Sequence, residues 1–502
     1  MNKNITKVIL VTGGAVLFNL LFWNEKLGLN TVLYDLFVLT ALFSLYPQSL
    51  RSATVRWLKL GHLVCLAMVV LHNTTLSKIA FTGTLCLLAA FAEYVHRSIW
   101  FAGGSMLLNM LFMMASFVES GLHIRKRKTK RKSFSRFIRF AIFPLLILLV
   151  FFFIYSAAND AFKQLADQLT RQLALFFENF FDVFSPQRLL FLLLGLFITG
   201  ALLLKSRVNW FAQKEAECSD ALVRTRVPAK KRRQQAYYQF VVGIMGRFAK
   251  GVLALKNENT TGIISLVLLN ILLFTVNIID IQHLWFNFEY SSDKTAMEMV
   301  HEGTELLITS IVLAMAILLF FFKGNLNFYR RNKWLKYGAY AWILQNLVLV
   351  ISVCIRDYYY IAKDGLAYKR IGVLFFLLMV LIGLITVLIK IAGKKTNYYL
   401  LRVNAWAGII ILVLSTTIHW DEFIADYNIS RHESTKLDVP FLLSLSDKAL
   451  PLIDRNKQLL IKIEQEQLQK RRTDFLNKQQ EISWLSWNYS DDFIKKYFET
   501  KH

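Results

Sequence analysis

Ionisable and amide side chains inside long apolar runs are where this chain could do chemistry, because a polar group at membrane depth is costly unless it is partnered. Asp35 stands in the middle of the apolar run 28–46, and Glu93 and His96 stand near the end of the run 79–95. Asp35 is the candidate intramembrane carboxylate. It is either a proton or ion carrier, or a carboxyl paired with a neighbouring helix or neutral. Farther along, Asn270, Asn277 and Asp280 recur at spacings of seven and three, and Gln345, Ser352 and Arg356 at seven and four. Such spacings put each set on one helix face. The run His301-Glu302-Gly303-Thr304-Glu305 opens another apolar stretch, with His301 and Glu305 one turn apart on a shared face. Arg370 precedes the next run.

Asp280, His301, Glu305, Arg356 and Arg370 therefore form a candidate polar site in one layer near the outer ends of their helices. Such a layer suits binding of a headgroup, an ion or a proton. It also has a structural reading: acids favour a helix N-terminus, and Arg356 can pair with Asp280 or Glu305. The HEGTE run parallels the HExxH zinc signature but carries Glu305 where the second His belongs. Two ligands fall short of the three or four that zinc takes from protein, so no metal or cofactor is assigned. No Walker loop, Rossmann glycine pattern, GxSxG elbow or SxxK motif occurs. GxxxG is missing, so glycine-mediated helix pairing is not expected. Only Pro144 interrupts an apolar run, which gives no sign of the broken helices of many transporters.

The elements that must position these groups follow from composition. Of 502 residues, 55% are apolar and 19% charged, more apolar and less charged than a soluble domain. A span needs about 20 mostly apolar residues. Twelve runs qualify: 5–23, 28–46, 56–71, 79–95, 99–118, 137–157, 188–204, 260–285, 304–322, 335–355, 371–392 and 403–419. The fold expected is an all-α polytopic bundle of eleven or twelve spans. The first run has no small-residue cleavage site after it and reads as an uncleaved anchor.

Net charge is +25, and two connectors carry most of it. Residues 125–139 hold nine Lys/Arg and no acid, and residues 205–256 hold twelve Lys/Arg against Glu215, Glu217 and Asp220. Lying between spans, they read as cytoplasmic loops that touch anionic lipid headgroups, and not as a nucleic-acid site. Walking forward from 125–139 places 286–303 and the tail 420–502 outside, and the acids Glu289, Asp293, Glu298 and Glu302 agree. Walking backward meets a conflict. Five spans before residue 119 leave the N-terminus outside, with Arg51, Arg56 and Lys59 there too. A re-entrant or interfacial 56–71 would turn the N-terminus inward and reduce the count to eleven.

The organisation expected is a set of N-terminal spans (1–118), a basic loop (119–136), a span pair (137–204) enclosing an outer amphipathic helix (160–184), a second basic loop (205–259), a C-terminal bundle (260–419) and an extracytoplasmic helical tail (420–502). Cys65, Cys86, Cys218 and Cys354 form no CxxC pair and read as packing residues.

From His301 to Leu450 the chain resembles a bacterial multi-pass membrane family defined only as a domain of unknown function (4173, or its close relative 4153). The resemblance rests on HEGTELLITSI, on QNLVLVISVCIRDYYYIAKDGLAYKRIGV, and on IADYNI and LLSLSDKALP after the last span. Its pattern falls on His301, Gly303, Asn346, Arg356, Gly365, Leu366 and Arg370, with Ala367 where the family usually has Thr. The resemblance implies a bacterial inner-membrane protein and no particular activity. The function expected is a non-enzymatic sensor or accessory component with an outward-facing polar site. The alternatives are a secondary transporter or channel using intramembrane carboxylates, and a membrane-embedded enzyme of envelope or lipid metabolism.

Overall fold

The computed structural model describes residues 3–126, 185–224, 254–286, 296–322, 324–432 and 437–500, with scattered positions between 144 and 170. Among them the chain is helical throughout, with one isolated bridge between Ala221 and Lys395. The helices are α1 (Lys3–Phe22), α2 (Leu29–Leu45), α3 (Ala53–Leu71), α4 (Thr75–Glu93), α5 (Ile99–Lys126), α6 (Pro186–Leu203), α7 (Trp210–Ala216), α8 (Ala254–Asp280), α9 (Ala296–Phe321), α10 (Lys333–Asp364), α11 (Tyr368–Ala392) and α12 (Asn397–Ser415). Five more build the tail: α13 (Trp420–Ser430), α14 (Val439–Ser444), α15 (Leu450–Arg455), α16 (Lys462–Gln480) and α17 (Tyr489–Glu499).

Nine described helices are long and apolar enough to cross a membrane, and Leu29–Leu45 and Thr309–Phe321 are shorter apolar helices. These match eleven of the twelve runs. The twelfth, 137–157, lies outside the described residues except at scattered positions, as do most of the amphipathic stretch 160–184 and most of both basic connectors. The helix over the run 56–71 is longer than the run itself: α3 starts at Ala53 and runs 19 residues, as long as its neighbour α4. Helix starts follow local chemistry. The hydroxyls of Thr74, Ser185 and Thr396 accept the backbone N–H groups of Ser77, Arg188 and Tyr399, and Pro186 occupies the first turn of α6.

The chain divides into two compact units. The first comprises residues 1–96, 101–212 and 481–492. In it α1 and α6 run antiparallel. Asn19 and Arg188 exchange hydrogen bonds of 3.1 and 3.2 Å at one end, and Gly195 lies against Ala15 and Phe18 farther along. A Cβ on Gly195 would come within 3.0 Å of the Ala15 carbonyl, so glycine does mediate close pairing here, without a GxxxG motif. The segment 481–492 closes this unit on the α1–α2 turn. Leu29 N–H donates to the Trp487 carbonyl at 3.0 Å, Lys26 N–H to Ser486 Oγ at 2.7 Å, and Ser486 Oγ to Glu25 at 2.5 Å.

The second unit comprises residues 97–100, 213–480 and 493–502. Its membrane-depth core packs Leu266, Ile311, Leu318, Leu335, Trp342 and Leu384 from α8 to α11. A second cluster joins Ile424, Leu442, Leu450, Phe475 and Phe498 of the tail to Leu366 of the α10–α11 turn. The tail thus docks its apolar face on that turn, which suits a segment too small to hold an independent core.

Gly28 is the tightest point of the tail seat, where a Cβ would lie 2.5 Å from the Ser486 carbonyl oxygen, a backbone atom. We expect Gly28→Val to release residues 481–492 at a cost of about 1–3 kcal/mol, seen as faster limited proteolysis of the tail in detergent. Gly13→Ala, whose Cβ meets open space, is the control. Equal cleavage rates in the two variants would refute this account of the seat.

Candidate functional site

Three polar clusters emerge. In the first unit α2, α3 and α4 bring Asp35, His62 and Thr84 together, each at most 1% exposed. His62 Nε2 lies 3.0 Å from Asp35 Oδ1, and Nδ1 lies 2.9 Å from Thr84 Oγ1. The ring stacks on Phe81 at 5.1 Å. Hydrogen-bond accounting fixes the protons. The Thr84 hydroxyl donates to the Ala80 carbonyl at 2.7 Å, so its oxygen accepts from His62 Nδ1–H. The Nε2···Oδ1 contact then needs a second proton between the two atoms. Asp35 Oδ2 has no hydrogen-bond partner among the described residues. An imidazole against a carboxyl with one open oxygen has the chemistry of a proton-exchange couple.

The second cluster closes the α4 end of the same unit. Asn109 Nδ2 donates to Glu93, and Asn109 Oδ1 accepts Ser206 N–H at 2.9 Å and the Tyr94 hydroxyl at 3.2 Å. Lys205 Nζ donates to the Glu93 carbonyl at 2.9 Å and lies 4.2 Å from the Tyr94 ring centroid. Burial holds the Lys205 ammonium below its ordinary pKa, and the neighbouring Glu93 carboxylate opposes that shift. His96 pairs with Ser105 at 2.9 Å.

The third cluster is a seam between the parallel helices α8 and α10. Gln345 Nε2 donates to Asn270 Oδ1 at 2.8 Å, and Asn277 Nδ2 donates to the Gln345 carbonyl at 3.1 Å. Arg356 meets Asp280 at 3.3 Å. Asp280 ends the α-helical part of α8, and a π-helical turn, Ile281–Phe286, follows. Trp285 in that turn donates to Ser352 at 3.1 Å. The two faces read from the sequence thus meet each other.

The remaining expected site residues separate. Asn346 is buried and donates to Trp342 of its own helix at 2.7 Å, away from the seam. Arg370 works on the α10–α11 turn, where it donates to the carbonyls of Asp364 and Gly365. Gly365 takes φ +79°, the left-handed region where glycine ends a helix without strain. Asn428 of α13 clips the next residue, accepting Leu366 N–H at 2.6 Å and donating to its carbonyl at 2.9 Å. Gly365, Leu366 and Arg370 therefore build a clamped turn. His301 and Glu305 lie on helical backbone of α9, and their side chains fall outside the described residues.

Two groups escaped the sequence reading. Counting the run 56–71 from Arg56 leaves His62 near its start. The helix begins at Ala53 and carries His62 inward to Asp35. Lys390, 1% exposed in α11, donates to the Phe322 carbonyl at 2.7 Å just past the end of α9. A lysine inside the apolar run 371–392 was the available signal.

Helices of this length and apolarity, with polar side chains paired across helix faces, define a polytopic helical membrane protein. The chain matches the family model "Domain of unknown function (DUF4153)" over residues 35–456 and belongs to that family. The match begins at Asp35 and takes in both the Asp35–His62–Thr84 cluster and the α8–α10 seam, well beyond the stretch 301–450 that carries the sequence resemblance. No curated protein and no solved structure matches the chain.

His62→Leu removes one partner of a fully buried pair and should destabilise the protein by roughly 3–5 kcal/mol. Asp35→Leu/His62→Leu should recover part of that loss, because no polar group is left alone. Thermal unfolding in detergent gives the comparison. Strictly additive losses would show that the two groups do not act as a pair.

Proposed function

We propose that the protein is a sensory or accessory component of the bacterial cytoplasmic membrane, with its C-terminal tail outside and its basic connectors against anionic headgroups inside. In this reading α8 carries the state of the Asp280–Arg356 pair toward the connector that precedes it. The observation that supports it is the ion pair placed where α8 passes into a π-helical turn. π turns recur at functional sites and give a helix a second register. The amide ladder at Asn270, Asn277 and Gln345 ties that register to α10. A change in the outer pair then acts on the whole helix and not on its last turn alone.

Arg356→Met, compared with Arg356→Lys, tests this by amide hydrogen exchange in nanodiscs. α8 is 27 residues long, about 40 Å. We expect faster exchange in its first two turns, 254–261, in the Met variant, with the Lys variant close to the parent. Faster exchange confined to residues 277–286 would refute the reading.

A second reading, proton-coupled transport, draws on Asp35–His62–Thr84, which holds an exchangeable proton at membrane depth. Its test is uptake of a metabolite panel into vesicles under an imposed pH gradient. Uptake lost in Asp35→Asn with fold retained would favour it, and no gradient-dependent uptake by the parent protein would count against it.

A further inference from the structure

We infer that α5 does not cross the membrane: it lies along the cytoplasmic boundary with an apolar stripe in the inner leaflet, and the N-terminus lies on that same inner side. The inference uses only the first unit and does not depend on the function proposed above.

Contacts within that unit sort its helix ends onto two faces. One face holds the α1–α2 turn, since Asn73 after α3 donates to the Leu27 carbonyl at 2.9 Å, and Trp487 and Ser486 bind the same turn. The start of α6 is there too, through Arg188 and Asn19. The opposite face holds the end of α2, where the Tyr46 hydroxyl donates to the Leu203 carbonyl at 3.2 Å at the end of α6. The end of α4 joins it through Lys205 and Glu93. The start of α5 belongs to this second face, because Phe101 and Gly104 pack on Phe211.

Between the start of α5 and the start of α6 the chain passes from the second face to the first. It must therefore cross an odd number of times. The sequence offers two runs there, 99–118 and 137–157, and a stretch at 160–184 too polar to span.

Two observations place α5 along the boundary. The first is geometric. Gly104 meets Phe211, Asn109 meets Ser206, and Glu119 forms an ion pair with Arg207. From 104 to 119 a helix advances about 22 Å, yet all three partners lie in residues 206–211, just beyond α6. Met113 packs on Gly200, inside the last turn of α6. A helix normal to the membrane would have left that level. The second is charge. The nine Lys/Arg of 125–139 follow α5 directly, and Arg51, Arg56, Lys205 and Arg207 already mark the second face. The opposite face carries Glu481, Asp491 and Asp492 of the tail. Cations retained on one side identify the cytoplasm.

The surface of α5 fits this placement. Ala102, Ser105, Met106, Asn109 and Met113 are buried, whereas Leu107, Leu111 and Met114 form an exposed apolar stripe, 61%, 76% and 42% exposed. Its occupant is the acyl-chain boundary of the inner leaflet, with the adjoining cations on anionic headgroups at about 1 kcal/mol each. The charge conflict of the N-terminal half disappears: Arg51, Arg56 and Lys59 fall inside while α3 crosses in full.

The test uses full-length protein with its four cysteines replaced, single cysteines at Ser120, Arg51 and Lys26, and a membrane-impermeant maleimide. Lys26→Cys should label in intact spheroplasts. Arg51→Cys and Ser120→Cys should label only in inverted vesicles. Labelling of Ser120→Cys from outside overturns the inference. Nitroxides at Leu107, Leu111 and Met114 provide a second measurement that also settles a Ser120 shielded from both sides. A boundary helix gives all three one depth, and a crossing helix separates the first from the last by about 10 Å. Such a separation overturns the inference whatever Ser120 does.

Discussion

Hydrocarbon offers a buried polar group no water, so each must find a protein partner or remain at a cost of several kcal/mol. This constraint orders the structure. Asp35 has His62, Glu93 has Asn109, Asp280 has Arg356, and Lys390 has the Phe322 carbonyl. Each pair joins two separate elements, 16 residues apart for Glu93 and Asn109 and 76 for Asp280 and Arg356. In a chain whose helices are apolar on nearly every side, lipid and protein compete for the same faces. The polar pairs are what distinguish the correct neighbour from any other apolar surface.

The same constraint explains why buried polar groups here come in two kinds. Asn346 returns its amide to its own helix, and such a bond needs no partner helix. Gln345 and Asn277 bond across to a second helix and so fix its register. Residue type does not separate the two kinds, because an Asn at the same depth serves either way. The neighbour's geometry decides.

This marks how far the sequence was legible. Apolar runs gave the helices, since length and hydropathy act locally. The spacing of Asn270, Asn277 and Asp280 gave a face, and that of Gln345, Ser352 and Arg356 gave its complement, but their meeting required the parallel packing of α8 and α10. Asp35 was conspicuous, while His62 was not, because its depth depends on where α3 begins. The grouping of Arg370 with Arg356 rested on a shared layer. The intervening turn, folded back by Gly365 and held by Asn428, puts Arg370 to a different use. Side chains at equal depth are not thereby neighbours.

The seat of Ser486 and Trp487 on the α1–α2 turn joins residues 460 positions apart. At ribosomal speeds of about 5–20 residues per second, the first hairpin is made tens of seconds before the segment that completes it. Throughout that interval the backbone N–H groups of Lys26 and Leu29 await their acceptors. A chain cut short before residue 486 would leave them so permanently. Ser486 and Trp487 therefore act as a latch on the α1–α2 turn, and the first unit is complete only once translation has passed them.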